Sequence, residues 1–322
     1  MKRIFGIAST VFLGITIAYA GLARAEKKIV LGFSQIGAES EWRTANTKSI
    51  KESAAKEDIT LKFSDAQQKQ ENQIKAIRSF IAQKVDVIAF SPVVETGWEP
   101  VLREAKAAKI PVILSDRNVD VKDDSLWVAF MGSDFVEEGR RAAKWLVAYP
   151  PVKELAAKGD VNIVELQGTV GSAPAIDRKV GFEEVLKSYP NFKITRSQTG
   201  DFTRAKGKEV MEAFLKADNK INVLYAHNDD MAIGAIQAIE EAGLKPGKDI
   251  VIVSIDAVKG AFEAMMAGKL NATIECSPLL GPQLMKAVKD LKAGKSLPKR
   301  IVTEEGVFPQ EVAAREFPKR QY

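Results

Sequence analysis

Short apolar runs alternate along this chain with longer stretches whose apolar positions recur every three or four residues. A short apolar run bounded by turn residues reads as a strand, and the three-and-four spacing reads as an amphipathic helix. The pattern predicts strands over residues 29–34, 59–64, 85–90, 111–114 and 126–131, with helices over 42–56, 68–83 and 99–108. Ile74, Ile77, Phe80 and Ile81 make one apolar face of the second helix. The unbroken apolar run of 85–90 suits a strand buried on both sides. A helix over 135–149 restarts the rhythm. Strands follow at 161–166, 192–197, 223–226, 250–255 and 272–275, and helices at 175–188, 203–217, 231–242, 261–267 and 281–293. Gly243, Gly268 and Gly294 stand where helices stop. A last β-like run covers 301–303.

Two successive series of alternating strands and helices predict an α/β fold of two doubly wound parallel-sheet lobes with a cleft between them. No Pro-rich or Gly/Ser-rich linker divides the chain, so short strand-like segments are expected to join the lobes as a hinge. Candidate crossings lie near 131–134, 276–278 and 307–310.

The first 25 residues fall outside this rhythm. Lys2 and Arg3 precede a mostly apolar stretch over 4–20, and Ala23-Arg24-Ala25 is a small-x-small site. This pattern predicts a secretory signal peptide cut after Ala25, and so an exported protein. Without Lys2, Arg3 and Arg24, the excess of basic over acidic residues drops from five to two. No basic stripe with interleaved aromatics remains, and nucleic acid is not an expected partner.

Candidate chemistry narrows further. His227 and Cys276 are the only residues of their kinds, which excludes a Cys/His metal cluster and an internal disulfide. No Gly-x-Ser-x-Gly elbow, Gly-x-Gly-x-x-Gly turn or full Gly-x-x-x-x-Gly-Lys-Ser/Thr phosphate loop occurs. No catalytic residue, cofactor or metal is expected. His227 reads as a strand-end residue, and Cys276 fits either a buried apolar position or a pocket wall.

Polar residues at the carboxyl ends of the strands are more selective, because ligands of open α/β sheets sit there. The first strand leads to Glu39, Trp42 and Arg43, with Ser40 as an N-cap candidate. An indole plane beside a guanidinium suits a sugar, whose ring face is apolar and whose hydroxyls want rigid donors. The alternative packs Trp42 in an interface and leaves Arg43 in solvent. Later strands end at Asp116-Arg117, at Gln167-Gly168-Thr169 leading to Asp177-Arg178, at Asn228-Asp229 and at Asp256. Each has a structural alternative: an internal ion pair for Asp116 and Arg117, a helix-dipole charge for Asp177, a helix cap for Asn228 and Asp229. Five strand ends carrying this set favour one shared site.

The segments GFSQIGAESEWR, DAQQKQENQIKAIRSF, PVVETGWEPVL, VELQGTVG, AIDRKVGF, SQTGDFTRAKGKEVM, YAHNDDMAIGAIQAI and AGLKPGKDI resemble the type I periplasmic sugar-binding proteins of ABC importers, the ribose- and galactose-binding group. They run from about residue 29 to about 278, with a weaker match in the tail. The resemblance implies two lobes with three crossings, divided as 26–132 with 277–306 and 133–276 with 307–322. It implies one monosaccharide in the cleft, a furanose and first of all galactofuranose, and delivery to an inner-membrane permease by a monomeric periplasmic protein. Matched position by position, it implies ligand contacts from Glu39, Trp42, Arg43, Asp116, Arg117, Arg178, Asn228 and Asp256. Phe202 matches a closing aromatic. Cys276 stands near a family glutamine, and Glu41 and Ala257 stand where a small residue and a glycine are expected. These departures bear on sugar identity.

A sensor or chemoreceptor role for the same fold, a repressor core and a carbohydrate-active enzyme are the alternatives. A repressor needs an N-terminal helix-turn-helix where this chain has its apolar leader, and an enzyme needs an acid/base pair at defined spacing. Replacing Arg178 by alanine is expected to weaken binding and leave the fold intact.

Overall fold

The computed structural model describes residues 28–217 and 220–322; the expected signal peptide and its cleavage site lie outside them. The first series is β1 (Val30–Gln35), α1 (Glu41–Lys56), β2 (Thr60–Asp65), α2 (Gln70–Ala82), β3 (Val87–Phe90), α3 (Glu99–Ala107), β4 (Val112–Ser115) and β5 (Ala129–Gly132). The second is α4 (Phe135–Ala148), α5 (Pro150–Ala156), β6 (Val161–Gln167), α6 (Ala173–Leu186), β7 (Phe192–Thr199), α7 (Arg204–Ala217), β8 (Val223–Ala226), α8 (Asp229–Glu241), β9 (Val251–Asp256), α9 (Lys259–Met266) and β10 (Ala272–Glu275). The tail adds α10 (Gly281–Lys292), β11 (Arg300–Val302), β12 (Val307–Pro309) and the short α11 (Ala313–Glu316).

These strands form two sheets, ordered β11-β5-β4-β3-β1-β2 and β12-β10-β9-β8-β6-β7. Each is the centre of an α/β lobe. The middle strands β3, β4 and β8 are buried at every position, as their unbroken apolar runs require. The chain passes between the sheets after β5, after β10 and between β11 and β12.

The first sheet is wholly parallel, but β12 runs antiparallel to β10 in the second. The cause is the connection. β11 lies parallel in the first sheet and so ends at its carboxyl edge; the chain crosses from there to the carboxyl edge of the second sheet, and β12 runs back from that edge against β10. The helix expected over 135–149 is α4, ending at Ala148; a second helix that was not expected, α5, follows it, because Pro150 cannot donate into the first and starts the second at its N1 position. The strand expected from 126 begins at Ala129, since the Asp123 carboxylate caps a 3₁₀ turn over Asp124–Leu126.

Helices α4 and α6 pack backbone to backbone. A Cβ on Gly139 would lie 2.2 Å from the Arg178 carbonyl oxygen, and one on Gly181 would lie 1.9 Å from that of Val136. This close approach brings Glu138 of α4 beside Arg178 of α6.

Candidate functional site

The carboxyl ends of both sheets meet at one small cavity between the lobes. Glu39, Trp42, Arg43, Asp116 and Arg117 line it from the first lobe. Arg178, Phe202, Asn228 and Asp256 line it from the second, and Cys276 from the segment after β10. All ten residues singled out in the sequence are therefore brought to one place. Ser40, expected only as a cap, lines it too, as do Phe135 and Pro174, which were not singled out. Their signal was position: each stands at the start of a helix that follows a strand end or a crossing.

Local structure explains how each group is aimed. The Ser40 hydroxyl caps α1 by accepting from the Arg43 N–H at 3.1 Å, which sets Trp42 and Arg43 in the first turn. Arg43 is 3 % exposed and donates to Asp116 Oδ2 at 2.7 Å, Glu39 Oε1 at 3.1 Å and Gln35 Oε1 at 3.3 Å. Burial opposes its charge, but Asp116 and Glu39 outweigh that and hold its pKa above the ordinary range. Its guanidinium carbon lies 4.5 Å from the centre of the Trp42 ring. The Trp42 indole is also anchored, donating to the Cys276 carbonyl at 2.6 Å. Trp42 thus both packs between the lobes and forms a cavity wall.

Arg117 donates to the Val93 carbonyl at 3.1 Å and lies 5.3 Å from the Phe202 ring of the other lobe. Burial, then the like charge of Arg43, push it down to about 10. Phe202 lies where a glycine permits: a Cβ at Gly168 would be 1.8 Å from its ring. Across the cavity, Arg178 donates to Glu138 Oε2 at 2.7 Å, to the His227 carbonyl at 2.5 Å and to Asp256 Oδ1 at 3.5 Å. Burial opposes this charge as well, and the carboxylates, Glu138 first and then Asp256, more than offset it. Glu138 was missed in the sequence because it sits among the polar positions of an ordinary amphipathic helix. Asn228 caps α8 through Oδ1 and donates from Nδ2 to the Phe202 carbonyl, so the cap reading and the cavity position hold together. Asp177 is not in this cavity. It lines a neighbouring one with Asn118, Asp134 and Arg300.

Two features mark the cavity as a place for a polar ligand. Glu39 Oε2 and Arg117 Nε are buried and have no hydrogen-bond partner in the protein. Leaving such groups unpaired costs about 1–3 kcal/mol each. Three lining residues also hold left-handed backbone conformations: Asp116 (φ 68°), Phe202 (φ 61°) and Asp256 (φ 130°), with Ala257 next in chain at φ 62°. Non-glycine residues adopt these at a cost, and such strain concentrates at ligand sites.

Beneath the site, His227 is buried and its Nδ1 faces the Gly168 N–H at 3.4 Å, so its Nε2 is the proton-bearing nitrogen facing Glu165 at 3.0 Å. Lys179 donates to the same carboxylate at 2.7 Å. His227, Lys179 and a neighbouring Ser197 overcome the burial penalty on Glu165 and hold its pKa down at about 2. His227 is thus a buried strand-end residue that supports the Gly168 loop.

Two α/β sheets that meet carboxyl end to carboxyl end across a doubly lined cavity, joined by three short crossings, define a ligand-binding protein of the hinge-closing kind. The chain belongs to the periplasmic binding protein family, whose domain model matches residues 31–296. It is 53 % identical over 297 residues to the galactofuranose-binding protein YtfQ of Escherichia coli K12, covering 91 % of this chain and 92 % of that one. Among solved structures, a Mycobacterium smegmatis protein in complex with β-D-fucofuranose superimposes with a TM-score of 0.88 at 55 % identity, over 91 % of this chain and 95 % of that one. The periplasmic binding component of the arabinose ABC transporter of Shewanella sp. ANA-3, bound to α- and β-L-arabinofuranose, gives a TM-score of 0.85 at 57 % identity, with the same coverage.

Proposed function

We propose that this protein is the periplasmic substrate-binding component of an ABC importer. It binds one monosaccharide in furanose form between its lobes, galactofuranose first, and delivers it to an inner-membrane permease. The observation that carries this reading is that Glu39 Oε2, an acceptor, and Arg117 Nε–H, a donor, are both buried without a hydrogen bond in residues that line one cavity, Asp116 Oδ2 lying 3.8 Å from the Arg117 Nε. A hydroxyl donates and accepts at once, and a polyol satisfies both groups. Trp42 and Phe202 supply apolar faces for the C–H side of a ring. The furanose-binding relatives support the same choice.

In this mechanism each lobe carries half of the site. Residues 26–132 with 277–306 move as one body against 133–276 with 307–322. Ligand contacts to both bodies favour the closed form. Moving a population from mostly open to mostly closed takes about 5.5 kcal/mol of differential binding. Two or three charge-assisted hydrogen bonds of roughly 1.5–3 kcal/mol each supply it. The site residues named above act as binders, and the protein catalyses no reaction.

Calorimetric titration of the chain from residue 26 onward with galactofuranose, arabinose, ribose and galactopyranose tests this. One-to-one binding of a furanose, with galactofuranose tightest, is the expected result. Binding of the pyranose alone, or of none of the four, overturns it.

A further inference from the structure

The residue between Ser40 and Trp42 does not line the cavity; it reaches across to the other lobe. Glu41 Oε2 accepts from Arg204 Nη2 of α7 at 2.8 Å. Arg204 Nε in turn donates to Asp230 Oδ1 of α8 at 2.6 Å. Asp230 Oδ2 accepts the Glu41 backbone N–H at 2.8 Å. A carboxylate of the second lobe therefore satisfies a first-turn N–H of a helix in the first lobe, where the helix dipole also favours negative charge. The start of α9 closes the same corner: a Cβ on Gly260 would be 3.0 Å from Glu41 Oε2. The opposite rim is joined through backbone, with the Glu95 N–H donating to the Gly171 carbonyl at 2.9 Å.

We propose that Glu41, Arg204 and Asp230 form a rim latch that draws the lobes together without touching the ligand, and so set its affinity as positioning residues. The inference rests on the hinge-closing reading above. Glu41 and Arg204 are about one-third and one-half exposed, so the latch is partly screened by solvent and its strength depends on salt. It also assigns a use to Glu41, which stands where the resemblance leads one to expect a small residue. A small side chain there cannot reach Arg204.

The test uses Glu41→Gln, Arg204→Gln and the double variant, all near the surface and outside the cavity. Ligand-free scattering profiles and furanose affinities are measured at low salt and at about 0.5 M salt. Each single variant is expected to be more expanded without ligand than the parent protein. Each is expected to bind the sugar about three- to tenfold more weakly at low salt, in line with a partly exposed ion pair reinforced by a cap. The double variant is expected to lose no more than the worse single one. The parent's affinity should fall with salt and that of the variants should not. Unchanged ligand-free profiles together with unchanged affinity and salt slope overturn the latch. A parent protein that binds no sugar overturns the transport reading instead, and the ligand-free profiles then decide the latch alone.

Discussion

Arg178 and Glu138 are paired at 2.7 Å with both side chains buried, Glu138 completely. Removing the arginine would leave a buried carboxylate with no cation. Breaking a buried pair from one side costs about 3–5 kcal/mol. Arg178→Ala is therefore expected to lower the melting temperature as well as abolish binding, contrary to the intact fold expected from the sequence. Arg178→Met with Glu138→Met should recover most of the stability and none of the binding. Thermal melts and calorimetry on the two variants check this, and a single variant as stable as the parent refutes it.

Trp42 is the one tryptophan of the four that lines the cavity. A bound sugar is expected to change tryptophan emission mainly through this ring. Trp42→Phe should remove most of that change. It should also weaken binding, because the replacement cannot donate to the Cys276 carbonyl and leaves a buried acceptor unpaired, at about 1–3 kcal/mol. A full emission change in Trp42→Phe would contradict the placement of this side chain.

Gly168→Ala puts a methyl group into the Phe202 ring. Overpacking of this kind costs typically 1–3 kcal/mol and shifts the side chain that is struck. The expected outcome is at least a tenfold loss of sugar affinity with a moderate loss of stability. Adding Phe202→Leu should restore stability but not affinity. Melting curves and titrations on the two variants separate these effects.

Burial and the nearby Glu138 push Glu305 up to about 8, against donation from the Ser133 hydroxyl and the Ser277 N–H. The folded protein holds a proton that the unfolded chain releases. This contribution is complete below the ordinary carboxyl range and is lost as pH rises through about 8. Glu305→Gln should flatten the decline of stability between about pH 5 and pH 8. Denaturant unfolding across that range measures it, and an unchanged slope refutes it.

The residues that point into the cavity were legible because a parallel sheet sends the end of every strand to the same side. Asp116-Arg117, Asn228 and Asp256 follow apolar runs so directly that the topology alone gathers them. Trp42 and Arg43 were legible through the Ser40 cap, which fixes the first turn of α1. What stayed hidden depends on contacts between distant segments. Glu138 has the look of a solvated helix position until α4 meets α6. Glu41, Arg204 and Asp230 come from three helices and two lobes. Strand β12 holds three residues, ends in a proline and shows no alternation, so nothing in its own sequence marks it or its direction.

The path of the chain has a consequence for the order in which the protein can assemble as it is made. Leu284, Met285 and Val288 of α10 pack on Leu31, Phe33 and Ile50, and the Gly281 N–H is held by the Ser49 hydroxyl. The lobe that begins at β1 is thus finished by a helix made more than two hundred residues later. A growing chain that stops before residue 281 leaves that apolar face open, while the second lobe already has every strand but its antiparallel edge. The first part to emerge thus waits for a segment made near the end, and a shortened chain lacking α10 should expose an unfinished first lobe rather than a smaller working protein.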